Sequence, residues 1–384
     1  DSLQWVDASP DSPAEIYWKR EGTTISPITD GDDVATSGDI QSTSQNGGPL
    51  AGLRNAIING NMAISQRGTS FNYAASSTYQ IDHSLDRWAT EWQQNVVATV
   101  EQDKKMTAAA PADYSYALRA NITDSGGGSN AVFLISQKIE DIETFAGQEV
   151  TLSFTAKSPN SLKIGVELWQ NPGSGPPTYG AIKQLVTTDN SYVRYTVTGT
   201  LPYPTSNNAN SYLGVGFWLV SGSNNDNRSS SVGFQTGEID ISNVQLELGP
   251  AATPFEYRPI ATELTLCQRY FNTSFIGEVS VNNQDKGGQI YVGGSTGQTG
   301  TTGFIGTALV HFPTSMRTAP TVSSYDVANP RNIGKCHRHT YGTPGQNDQP
   351  TTIANQSPNS FSLRSDSGIG ATGLIFHYTA DAEL

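Results

Sequence analysis

Three stretches carry the side chains with the clearest chemical potential. In LKIGVELWQN, Glu167 and Trp169 fall on one side of an alternating segment, with Ile164, Val166 and Leu168 on the other. In SYLGVGFWLV, Tyr212 and Trp218 share a side with Gly214 and Gly216, and in SYVRYTVTGT Tyr192 and Arg194 share a side. Aromatic rings offer apolar platforms to the C–H faces of sugars, and neighbouring polar groups fix the hydroxyls. Trp169, Trp218, Tyr212, Glu167 and Arg194 are therefore the candidate sugar-binding set, with the glycines leaving a flat shelf. The competing reading is that both tryptophans pack under loops or against a neighbouring chain, as Trp does in most folds.

Catalytic constellations are scarce. No Gly-x-Ser-x-Gly elbow, phosphate-binding loop or His-Glu-x-x-His motif occurs. Carboxylates do occur close together, as at Asp82 and Asp86 or Glu140, Asp141 and Glu143. Proximity in sequence does not set the ~5–9 Å separation that glycoside hydrolysis needs, and no short repeat suggests a β-helical platform. The chain is read as non-enzymatic, with no cofactor required. ITDGDDV, with Asp30, Asp32 and Asp33, is a turn, because the downstream Glu of an EF-hand is absent. Cys267 and Cys336 are read as free buried thiols, with a bridge between them the minor alternative. In KCHRH, His337 and His339 share one side of a strand and are read as partly exposed histidines.

Composition bounds the setting. The 384 residues carry 22 Lys and Arg against 35 Asp and Glu, a net charge of −13. No basic stripe marks a nucleic-acid interface, and an acidic chain is repelled by acidic membrane surfaces. No stretch approaches the ~18 apolar residues of a membrane span. Charged residues make up only 15%, and Ser, Thr, Asn, Gln and Gly fill the difference. Such a composition favours strands punctuated by turns. The chain opens on Asp1, shows no signal peptide, and reads as a fragment or processed product.

The elements that must hold the candidate residues are strands. EVTLSFTAKS alternates Val150, Leu152, Phe154 and Ala156 against Thr151, Ser153, Thr155 and Lys157. GEIDISNVQLEL alternates through Ile239 and Ile241, slips at Ser242-Asn243, and resumes at Val244, Leu246 and Leu248. Period-two alternation between Gly/Pro/Asn clusters predicts antiparallel sheets with one buried face. The expected architecture is all-β. Residues 1–53 are an anchor segment with two short strands around Glu21-Gly22. Residues 54–258 are a jelly-roll sandwich, and residues 259–384 a smaller β-sandwich whose clearest strands are GFIGTALVHFP, TVSSYDV, NSFSLRSD and GLIFHYTA. Pro250, Pro254 and Pro259 stiffen the connector between the last two.

ISNVQLELGPAATPFEYRPIATELTLCQRYF resembles a segment of bacteriophage tail-fibre and other virion structural proteins, notably of marine and cyanobacterial phages. GTTISPITDGDDV with TSGDI resembles the junction sequence of such fibres. LRNAIINGNMAISQRGTSF, followed by DRWAT, resembles the opening of their carbohydrate-binding-module-like domain, and FHYTADAEL the end of their C-terminal domains. The resemblance spans about Gly22 to Leu384 and implies a homotrimer located in the virion. It implies contact with other virion proteins through residues 1–53, and host attachment through cell-surface glycan. A purely structural virion part, or less favourably a polysaccharide depolymerase, is the alternative. In the jelly-roll modules so resembled, an acidic residue on the last strand often binds a structural Ca²⁺, which points to Asp240. Three copies of His337 and His339 would resemble the axial iron sites of some fibre tips, but those repeat the His-x-His motif and this chain has it once.

Overall fold

The structure, a computed structural model, describes residues 5–6, 16–21, 24–27, 53–103, 116–204, 206–275, 287–293, 307–327, 332–340, 343–365 and 373–384. Two compact units divide the chain, Asp1–Gln45 and Asn46–Leu384. In the first, β1 (Trp5–Val6), β2 (Ile16–Glu21) and β3 (Thr24–Pro27) pair antiparallel in the order β1-β2-β3. The paired strands β2 and β3 flank Gly22, as the turn chemistry there predicts.

The second unit begins with a two-sheet sandwich. Its strands are β4 (Ser70–Tyr73), β5 (Gln80–His83), β6 (Ala89–Gln93), β7 (Val97–Asp103), β8 (Ala117–Asp124) and β9 (Val132–Glu140). They continue with β10 (Glu149–Lys157), β11 (Lys163–Asn171), β12 (Thr178–Thr187), β13 (Val193–Thr200), β14 (Tyr212–Ser221) and β15 (Gly237–Leu248). One sheet has the order β13-β10-β15-β8-β7-β4 and the other β12-β11-β14-β9-β6-β5. A single core fills the space between them, with Val150, Leu152, Phe154 and Ala156 from the first sheet meeting Val215, Phe217, Leu213 and Ile135 from the second. Phe154 and Phe217 meet edge to face at 4.9 Å, a geometry worth about 0.5–1.5 kcal/mol beyond burial. The slip in β15 is a register shift against β10, and Asn243 takes φ 48 there, a conformation Asn tolerates.

Over β10 and β15 the outer face of the first sheet is covered rather than solvated. Thr151, Ser153, Thr155, Gln245 and Glu247 point away from the core, yet all are buried. The reason is the proline-rich connector, which runs across them. Thr253 donates its backbone N–H and its hydroxyl to Glu247 at 2.9 and 2.7 Å. Glu256 donates its N–H to Gln245 Oε1 at 2.8 Å. Expecting strands with one buried face thus understates this sheet.

The segments resembling the opening of the phage module act as knots. Asn55 donates to Val244 O and accepts from the N–H groups of Ile57 and Leu246. Asn59, at φ 58, ties Ile64 and Asp86 together and accepts from Trp88 Nε1 at 3.1 Å. Arg87 lies 3.4 Å over the Tyr270 ring.

After the connector, α1 having passed at Asp226–Ser229, helix α2 spans Ile260–Gln268 where the sequence reading had only strands. Pro259, with its fixed φ, opens it, and Glu263 and Cys267, one turn apart, bury the same side. The remaining strands are β16 (Phe271–Thr273), β17 (Ile290–Gly293), β18 (Thr307–His311), β19 (Thr321–Asp326), β20 (Lys335–Thr340), β21 (Thr343–Pro350), β22 (Thr352–Ala354), β23 (Ser360–Arg364) and β24 (Gly373–Asp381). β24 is central, with β16 and β17 in series along one edge and β19 and β20 along the other. A second core, including Phe312, Phe361, Phe376 and Tyr378, lies between this sheet and β18-β23-β22. Cys267 and Cys336 are both buried, and burial pushes the Cys267 thiol well up.

The last strand docks on the sandwich through charge. Glu383 pairs with Arg87 and with Arg67 at 3.3 Å, and His83 Nε2 lies 3.8 Å from it. Arg269 grips Glu140 through Nε and Nη2 at 2.9 and 2.8 Å. Among the described residues no helix is long and apolar enough to cross a membrane.

Candidate functional site

The candidate residues sort by strand register. Trp169 faces Gly214 across β11 and β14, Glu167 faces Gly216, and Gly165 faces Trp218. Tyr212 ends the same row. Four of the five candidates, Trp169, Trp218, Tyr212 and Glu167, therefore share the outer face of the second sheet. Arg194 does not join them. β13 belongs to the other sheet, where Arg194 donates from Nη2 to Ser153 Oγ at 2.9 Å and to Thr253 O under the connector. Alternation reveals which side of a strand a residue occupies but not which sheet receives the strand.

The glycine shelf is real and already filled. A Cβ at Gly214 would stand 2.1 Å from Trp169 Cε2, so the indole lies directly on the β14 backbone. Trp169 and Trp218 are 3% and 1% exposed, which makes them the floor of the face rather than its contact surface. α1 closes onto the same floor, since a Cβ at Gly165 would stand 2.0 Å from Ser229 O.

Glu167, fully buried, organises this region. It accepts from Gly180 N at 2.8 Å, from Trp218 Nε1 at 2.8 Å, and from Arg228 Nε at 3.0 and 3.1 Å to its two oxygens. Buried charges require this kind of saturation. The Arg228 guanidinium lies 3.9 Å from the Tyr179 ring centroid, 4.9 Å from Trp218 and 5.5 Å from Trp169. Tyr179 and Tyr79 are 46% and 50% exposed. Tyr79 donates its hydroxyl to Glu91, which also accepts from Ser136 at 2.7 Å. Desolvation and the Glu91 charge both raise the Tyr79 phenol, while Arg228 acts on it in the opposite sense. Tyr212, half-buried, receives Lys138 Nζ at 5.0 Å from its ring and Asn171 Nδ2 at 3.0 Å from its hydroxyl.

Tyr79, Tyr179 and Arg228 are accessible on this surface, with Ile81 and Leu185 exposed beside them, and none was singled out from sequence. Tyr79 precedes β5, Tyr179 stands at the irregular start of β12, and Arg228 sits on a one-turn helix. No periodicity marks such positions. A single Arg inside the otherwise uncharged or acidic run SNNDNRSSS is the one signal the sequence offers.

Asp240 lies on the outer face of the first sheet. Arg119 donates to it from Nε and Nη2 at 2.7 and 2.9 Å, and Tyr192 Oη at 2.7 Å. These neighbours supply donors, whereas Ca²⁺ takes oxygen acceptors. Among the described residues, no three His, Cys, Asp or Glu side chains are grouped to hold a metal. His337 pairs with Ile375 and His339 with Gly373 in the β20–β24 register, and the His339 side chain lies outside the described residues. A cavity of about 430 Å³ beside Glu140, Asn207, Asn208 and Arg317 has polar walls and no aromatic ring, so it offers no stacking platform.

No family model matches the chain, and no curated protein does. Among solved structures, it is similar to the enzymatically active domain of tailspike protein 4 of bacteriophage CBA120, with 16% identity and a TM-score of 0.31 over 50% of this chain and 21% of that one. A family 4 carbohydrate-binding module is similar with 16% identity and a TM-score of 0.28, over 50% of this chain and 99% of the module. A cyclase from Fischerella is similar with 14% identity and a TM-score of 0.31, over 52% of this chain and 99% of that one. Such TM-scores assign neither fold nor ligand to this chain, whose two-sheet sandwich rests on its own strand register.

Proposed function

We propose that the outer face of the β12-β11-β14-β9-β6-β5 sheet binds glycan, and that the chain is a virion fibre protein attaching phage to host cells through it. The observation that carries the glycan reading is the half-exposed Tyr179 ring stacked on Arg228 above the Trp169 and Trp218 floor, with Tyr79 beside them. Exposed rings supply platforms, and Arg228, Lys138 and Asn171 supply donors for hydroxyls. The virion reading is supported by the sequence resemblance. The proposed role is adhesion without bond cleavage. If the chain assembles as the trimer the resemblance implies, linked weak sites gain avidity of about 10²–10⁴ where geometry permits simultaneous engagement.

The test is glycan-array binding by the full chain and by the Tyr79→Ala/Tyr179→Ala variant. Binding by the wild type and loss in the variant is the expected result. An array without any wild-type signal removes the glycan reading. Failure of the purified protein to block phage adsorption to host cells, with glycan binding intact, removes host attachment alone. Release of reducing ends from host polysaccharide would replace adhesion by depolymerisation.

A further inference from the structure

We propose that this face selects anionic glycans, with a sugar carboxylate seated on the Nη fork of Arg228. The inference rests on the glycan-binding reading and names the class of sugar it takes.

The argument begins with which nitrogens Arg228 has committed. Only Nε is bonded, to both Glu167 oxygens. Neither Nη has a hydrogen-bond partner among the described residues. The paired Nη1 and Nη2 edge is the one that meets a carboxylate through two parallel hydrogen bonds. It is also held in place. Glu167 is immobilised by Trp218 Nε1 and the Gly180 amide, and the guanidinium plane is packed against Tyr179. A fixed fork loses little freedom when a ligand arrives, so more of the pairing energy appears as affinity.

Local charge permits it. The outward rows and α1 carry Arg228, Lys138, Lys163 and Lys183 against Glu91, Glu140, Glu167 and Asp226, with Glu140 paired to Arg269, so the face is charge-balanced in a chain where acidic residues outnumber basic ones 35 to 22. Lys183 Nζ sits 2.6 Å from Asn227 O, the residue before Arg228. Glu167, fully buried and saturated by donors, is shielded from an incoming anion. A neutral glycan would use the tyrosine platforms but leave the fork to water.

The test is titration calorimetry on the full chain with hexuronate-containing oligosaccharides, each paired with its carboxyl-reduced, neutral counterpart. Acidic members should bind at least about tenfold more tightly than their reduced partners. That ratio should collapse toward unity in Arg228→Gln and persist in part in Arg228→Lys. Salt should weaken wild-type binding of the acidic members more than of the neutral ones, a readout that needs no variant to fold. Equal or tighter binding of the neutral counterparts overturns the inference and leaves the glycan reading standing, as does an acid preference that survives in a folded Arg228→Gln. Absence of binding to both kinds of oligosaccharide overturns the glycan reading itself and this inference with it.

Discussion

The two outer faces of the sandwich carry the same ingredients in different states. On the first sheet, Asp240 holds Arg119 and Tyr192. On the second, Glu167 holds Arg228 beside Trp218 and Tyr179. Arg119 spends Nε and Nη2 on Asp240, and its Nη2 also approaches Asp103 Oδ2 at 2.6 Å. Arg228 spends Nε alone. The first pair ties strands β8 and β15 together, with the connector crossing the same face. The second leaves a guanidinium edge and two tyrosines facing outward. A carboxylate–arginine pair is thus no marker of function in itself, and what matters is which donors it leaves unused.

Substitutions can sharpen or break this contrast. Glu167→Gln should have the largest effect, because removing one partner of a buried charge pair costs about 3 kcal/mol or more and frees Arg228. Thermal melting should show the loss, and glycan binding should fall with it. Gly214→Ala should follow at about 1–3 kcal/mol, since its methyl collides with the Trp169 ring. A variant as stable as wild type would mean that Trp169 can leave the shelf. Asp240→Asn should cost about 1–2 kcal/mol, with Arg119 partly exposed, and leave glycan affinity unchanged. Loss of binding in that variant would erase the distinction between the faces.

The last effect lies at the β5 edge of the second sheet, four strands from Glu167. Burial lowers the His83 pKa to about 4 despite the nearby Glu383 charge, so the folded chain holds His83 neutral where the unfolded chain protonates it. Stability from this group is complete above about pH 6.5 and falls as the pH drops toward 4. Glu383 is shifted down by Arg87, His83 and Arg67 against desolvation, so its contribution is lost at lower pH, below the ordinary carboxylate range. Between pH 7 and 5 the His83 effect should be on the order of 1–2 kcal/mol, read as a fall in Tm that His83→Gln reduces.

Much of the framework was legible because alternation is written locally. The parity change at Ser242-Asn243 is visible in Ile241 and Val244, and the structure realises it as a register shift. Helix α2 was not legible, because nine residues with only Glu263 and Cys267 buried make too faint a helical pattern. The contact surface was not legible either. Tyr79, Tyr179 and Arg228 lie far apart in sequence, on segments without periodicity, and meet only through the pairing of the whole β12-β11-β14-β9-β6-β5 sheet. The face itself was readable from Trp169 and Trp218, but their burial depended on α1, whose seat on Gly165 no local pattern announces.

The central position of β24 carries a consequence for biogenesis. Among the described strands, three that precede it, β16, β17 and β19, find their ladder partner only in residues 373–381, and β20 has β21 alone until then. During synthesis they wait with unpaired edges until the ribosome has delivered residues 373–381, whereas the sandwich has every strand in hand by Leu248. A chain interrupted before Gly373 would therefore release a finished sandwich trailing sticky, unzipped strands, the kind of species that chaperones retain and that aggregates first.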